Sequence, residues 1–183
     1  MLGPLGGGEG RRVHIRDLKR CRYDSGPFDA RNWSAPLLAV GWLAWPFPFK
    51  RGDVSPEFVA RLRSLVEDVP AGWGFRGLHG CSLCPSQDVL SHGIPGSQKN
   101  IFVPGQGAVY IAPGGIVHYV EAHSYLPPPE FTEAVLRCSD FESAEYRQAI
   151  REANAGVDPP FNMREDAAPG SWWEDLLRRL IGD

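Results

Sequence analysis

Asn100-Ile101-Phe102-Val103-Pro104-Gly105-Gln106-Gly107-Ala108-Val109-Tyr110-Ile111 is two apolar runs separated by a turn-forming tetrapeptide. That pattern predicts a β-hairpin with a four-residue loop. Before it, Leu37-Leu38-Ala39-Val40-Gly41-Trp42-Leu43 reads as a buried strand. Trp45-Pro46-Phe47-Pro48-Phe49 must then be extended, because each proline pushes its predecessor out of the helical region. Ser55-Pro56-Glu57 combines a capping serine, a first-turn proline and an acid near the positive helix end, so it predicts a helix start. Phe58, Leu62, Leu65 and Val69 recur at helical spacing behind it, and the helix ends before Pro70. After the hairpin, Pro113 opens a helix running through His118 to His123, which Tyr125-Leu126-Pro127-Pro128-Pro129 stops. A further helix from Glu130 buries Phe131, Val135 and Leu136, and Phe141, Tyr146 and Ile150 mark one more.

The composition suits one compact unit. Of 183 residues, 43% are hydrophobic and 22% charged, enough for a real core and too apolar for disorder along the whole length. Lys and Arg number 19 against 22 Asp and Glu, a net charge of −3. This supplies no global field for a polyanion or an anionic membrane. Met1 to Gly10 has neither the basic start nor the apolar stretch of a secretory signal, and the uncharged run Ser34 to Phe49 is too short to span a bilayer. A cytoplasmic protein is expected, and in a reducing compartment four cysteines point to metal binding or burial rather than disulfides.

The chemistry lies in two pairs. Leu78-His79-Gly80-Cys81-Ser82-Leu83-Cys84-Pro85 sets two thiols at knuckle spacing, and His118-Tyr119-Val120-Glu121-Ala122-His123 sets two imidazoles on one helix. Cys-x2-Cys turns both sulfurs toward one centre, and two histidines complete a tetrahedral N2S2 shell suited to Zn2+. The metal ligands expected are Cys81, Cys84, His118 and His123, with His79 a fifth candidate that either replaces a helical histidine or stands behind the ligands. The interval of 33 residues between the pairs is too long for a DNA-reading finger. Positions i and i+5 lie about 140° apart on an ideal helix, so the helix must loosen before His123. Cys21 and Cys138 have no companions at ligand spacing and read as small buried hydrophobes.

Four protein ligands leave no position for water, which favours a structural ion over a catalytic one. The chain is read as more a binding module than an enzyme. Two alternatives stay open. One is a metallo-hydrolase with three protein ligands, bound water and Glu121 as base, although neither His-Glu-x-x-His nor His-x-x-Glu-His is present. The other is nucleic-acid binding through the cationic run Arg11 to Arg22, an unfavoured reading given the net charge. A protein is the expected partner, with the aromatic surface as contact area; no membrane association is expected, and oligomeric state is unwritten.

Gly41-Trp42-Leu43, Pro46-Phe47-Pro48, the His79 to Pro85 box, Ile101 to Gly105, Tyr110 to Pro113 and the stretch from His118-Tyr119 through His123-Ser124-Tyr125-Leu126-Pro127-Pro128 together resemble an uncharacterised bacterial domain of actinobacteria and myxobacteria. The similarity runs from about Arg16 to Arg137 in conserved order of boxes. It implies a cytoplasmic bacterial protein and carries no activity.

The fold expected is α+β: a small antiparallel sheet with surrounding helices and a zinc-type Cys2His2 site. Residues 1–10 are expected as a flexible tail, 11–138 as the metal-stabilised domain, and 139–183 as a helical extension. In that extension, Asp158 to Gly170 reads as a linker and Ser171 to Ile181 as an amphipathic helix.

Overall fold

The structure is a computed structural model that describes residues 14–21, 32–70, 80–84, 94 and 96–160. Its elements in chain order are β1 (Leu37–Ala39), α1 (Pro56–Glu67), β2 (Asn100–Pro104), β3 (Val109–Pro113), α2 (Ile116–His123), α3 (Pro129–Arg137) and α4 (Ala144–Ala153). The fold is α+β.

The hairpin forms as its sequence predicts, with Ile101 opposite Ala112 and Val103 opposite Tyr110. The loop is closed by Gly105 N–H donating to Ala108 O at 2.9 Å. The sheet is mixed rather than wholly antiparallel, because β1 runs parallel to β3 in the order β1-β3-β2. In the expected 37–43 strand the continuous ladder covers only the first three residues, with Trp42 in an isolated antiparallel bridge to Ile15. Gly41, at φ +73°, turns the chain, and a Cβ there would lie 2.7 Å from Ile116 Cδ1. Val40, Trp42 and Leu43 are nonetheless buried.

Both margins of the sheet are covered. Outside β1, Ala39 N–H donates to Lys19 O at 2.9 Å and Cys21 N–H to Leu37 O at 2.7 Å. On the other side, Ile111 O accepts from Val40 N–H at 3.0 Å and so faces β1. Its partner Phe102 therefore turns its carbonyl outward, where the Tyr146 hydroxyl of α4 donates to it at 2.8 Å.

Helix α1 starts as predicted: Ser55 Oγ accepts from Phe58 N–H at 3.2 Å, with Pro56 in the first turn. Phe58, Leu62, Leu65 and Val66 face the core. At its other end Lys99 Nζ donates to Glu67 O at 2.9 Å and Val66 O at 3.3 Å, meeting the orphan carbonyls with a cation. Phe131 of α3 packs edge-on against Phe58 and Tyr110, with centroids at 6.5 and 5.8 Å. Leu136, expected inside, is 40% exposed. It sits five positions after Phe131, about 140° around the helix, while Ala134 and Val135 take the buried face.

Helix α2 begins at Ile116, not Pro113, which instead closes β3 opposite Asn100. Between them Gly114 touches Gly96 so closely that a Cβ would lie 2.1 Å from Gly96 O. Helix α4 buries Tyr146, Ile150 and Ala153 in the same core as the sheet. Just after it Asn154, fully buried, accepts from Ser34 and Ala35 N–H, both at 2.9 Å. The 1–10 tail, most of the 158–170 linker and the 171–181 helix lie outside the described residues. Among the described residues no helix is long and apolar enough to cross a membrane.

Candidate metal centre

The knuckle comes from a short turn: Cys84 N–H donates to Cys81 O at 3.4 Å, so both side chains leave one side of the backbone. Ser82, within that turn, anchors it, since Ser82 Oγ accepts from Trp45 N–H at 3.0 Å. Cys81 is fully buried and Leu83 and Cys84 pack against the core.

The histidines come from α2, beyond which the backbone widens. Ser124, in the left-handed region at φ 53°, and Tyr125 both donate backbone N–H to Tyr119 O. These bonds span five and six residues instead of four, so the turn holds more chain per revolution than an α-helix. The helix nevertheless runs as regular α-helix through His123, and the widening falls at Ser124 and Tyr125 after it, not before it as the His-x4-His spacing led one to expect. The two imidazole centroids stand 5.1 Å apart.

Knuckle and helix end meet. Cys81 Sγ lies 3.3 Å from His123 Nε2, and Cys84 Sγ lies 3.3 Å from Nε2 of both His118 and His123. The ligand atoms of Cys81, Cys84, His118 and His123 all fall within 4.8 Å of one another. Zn–S of 2.3 Å and Zn–N near 2.1 Å at tetrahedral angles give an S···N edge of about 3.6 Å. The three observed separations are close to that edge. Hydrogen bonds can also join these atoms, with the direction of each set by the imidazole tautomer. A cation at the shared centre satisfies all four donors, and the residues present fit a tetrahedral metal ion.

Electrostatics favour the neutral forms of Cys81, His118 and His123. Burial pushes the Cys81 thiol up to about 11, against the pull of hydrogen bonds from the Leu83 and Cys84 backbone. Burial likewise holds His118 below the usual imidazole range, opposed by Glu121. His123 is lowered by burial first, then by His118 and Arg51. Neutral imidazoles are ready to ligate, and a cation binding at Cys81 displaces its thiol proton.

Other expected residues fall elsewhere. Glu121 extends from α2 to Arg63 of α1, with which it forms an ion pair at the surface. His79 lies outside the described residues, as do Arg11, Arg12 and Arg22 of the cationic run. Within that run Asp17 is bound inward, accepting from Tyr125 O–H at 2.8 Å and Gly41 N–H at 3.0 Å. Cys21 and Cys138 are buried away from the cluster. Sequence reasoning passed over Ser82, which joins the knuckle to the Trp45 loop, and Tyr119. The Tyr119 ring lies against both histidines at 5.9 and 6.5 Å, and its hydroxyl is pushed up to about 12 by burial and then by the two sulfurs. The Tyr119 signal was in the sequence, as the aromatic directly after His118.

No curated protein and no solved structure matches the chain. A family profile described as "Domain of unknown function (DUF7919)" matches residues 13–136, a span that takes in all four converging side chains and nearly coincides with the stretch of resemblance read from the sequence. The chain belongs to this family of unknown function.

Proposed function

We propose that the protein is a non-catalytic interaction module whose fold is locked by one structural zinc ion held by Cys81, Cys84, His118 and His123. The observation that carries this is the convergence of two sulfurs and two ring nitrogens from distant parts of the chain, with three S···N separations of 3.3 Å. Two thiolates and two imidazoles match zinc in charge and softness and fill its tetrahedron. The carboxylate that a hydrolytic reading needs as base is committed to Arg63 on the outer face. The contact surface is aromatic: Trp45 is 61% and Phe47 49% exposed on the loop that Ser82 ties to the knuckle. Exposed aromatics of this kind suit a protein partner, and four free thiols suit a reducing compartment such as the cytoplasm.

Elemental analysis of purified protein tests the reading, together with melting before and after chelation. One equivalent of zinc and a lower melting temperature after its removal are expected. Less than half an equivalent, with melting unchanged by chelator, overturns it.

A further inference from the structure

We infer that the centre is also a reversible thiol switch: a peroxide-class oxidant converts Cys81 and Cys84 to a disulfide, ejects the metal and frees the Trp45 loop. This rests on the metal-centre reading above and adds to it.

Three observations converge. Of the chain's four cysteines, Cys84 alone is not buried; Cys21, Cys81 and Cys138 are. An oxidant arriving from solvent therefore meets one sulfur first, and metal coordination holds that sulfur as the reactive thiolate. Second, the resolving partner is in place. Cys81 and Cys84 end a turn closed by a backbone hydrogen bond of 3.4 Å. Cα atoms across such a turn lie within about 7 Å, against the usual disulfide limit of about 6.8 Å. Third, the consequence reaches the surface. The knuckle is bonded through Ser82 Oγ to the amide of Trp45, which with Phe47 forms the exposed aromatic patch.

The chemistry balances without further reagents. The Cys84 thiolate attacks one oxygen of hydrogen peroxide, the O–O bond breaks, and hydroxide leaves, giving a sulfenic acid. The Cys81 thiolate attacks that sulfur, the S–S bond forms, the S–O bond breaks and a second hydroxide leaves. The two sulfurs lose two electrons, and the peroxide gains them. Only two imidazoles remain to the cation, which dissociates.

The test uses the full-length zinc-loaded protein, titrated with hydrogen peroxide while a chromophoric chelator reports released zinc. One zinc ion per peroxide consumed is expected, with peptide mapping placing the disulfide between Cys81 and Cys84. Dithiothreitol plus zinc should restore the starting metal content. The Trp45 amide should exchange about tenfold faster in the oxidised form. A Cys138→Ala variant should release zinc as the parent does. Zinc retained after stoichiometric peroxide, oxidation mapped to Cys21 or Cys138, or a product that dithiothreitol does not reverse each overturns the switch while leaving the structural zinc standing. Protein that binds no zinc before any oxidant is added removes both. Because a Cys84→Ser chain can fail to fold, the mapped disulfide in the parent protein is the deciding measurement.

Discussion

Cys81 Sγ and His123 Nε2 lie 3.3 Å apart although 42 residues separate them in the chain. One comes from a turn and the other from the last turn of α2, and between them runs the hairpin that supplies two of the three strands. A cation at their meeting point would close a long loop of the fold, a strong constraint on the unfolded chain.

Replacing a donor should therefore cost more than its own contacts. Cys84→Ala or His118→Ala leaves three donors; we expect stoichiometric zinc to be lost and melting to fall by at least 10 °C, since structural zinc sites in small peptides are worth about 10 kcal/mol or more. Glu121→Gln should keep full zinc content, because that carboxylate faces Arg63. Elemental analysis and calorimetry on the three variants check both.

Stability of the metal-free protein should depend on pH in two windows. The Cys81 thiol is raised from 9.0 to about 11, so its contribution is whole below pH 9 and disappears as pH rises through 11. His118 and His123 lie below 6.5, so theirs is whole above 6.5 and is lost as pH falls. Urea unfolding after chelation should give a plateau between those limits. Zinc loading should remove the Cys81 part of the alkaline decline, because a bound thiolate no longer titrates. Cys138, pushed by burial up to about 12, should keep its share in both forms.

Gly114→Ala should be among the most damaging single changes. The added methyl would sit 2.1 Å from Gly96 O and 2.9 Å from Gly96 C, and both are backbone atoms that no rotamer change can move. A loss of about 3 kcal/mol is expected. Gly107→Ala, with nothing within 4 Å but φ +66°, should cost only about 1 kcal/mol. Parallel urea titrations measure the difference.

Asn154→Ala should cost about 3 kcal/mol. The buried amide accepts from both Ser34 and Ala35 N–H at 2.9 Å, and its removal orphans two donors at the entry to β1. Asn154→Asp preserves the acceptor but loses the 2.9 Å donation to Val157 O, so a smaller loss is expected. Calorimetric melting orders the two variants.

Much of this was legible in the residues. The hairpin, the Ser55 cap and the stripe from Phe58 to Leu65 are local patterns, and local patterns survive folding. The Cys and His pairs were legible by the spacing within each pair, and the structure brings their ligand atoms within 4.8 Å of one another. The loosening expected before His123 is not found there: the helix stays regular through His123 and widens only at Ser124 and Tyr125. What the residues hid was long-range. Nothing near Asp17 announces that its carboxylate will receive Tyr125, 108 positions away, nor does Asn154 advertise Ser34. Gly41 looked like part of a strand because an apolar run says nothing of φ. The parallel seat of β1 depends on which strand it reaches, a choice made by the whole core. Leu136 was misplaced by counting apolarity without its angle from Phe131.

The flanks of the sheet carry one last implication. With Lys19 and Cys21 bonded along β1 and the Tyr146 hydroxyl seated on Phe102 O beyond β2, a visiting peptide finds no backbone ladder ready to extend at these positions. At those points strand addition by a peptide, or by a neighbouring copy, is obstructed.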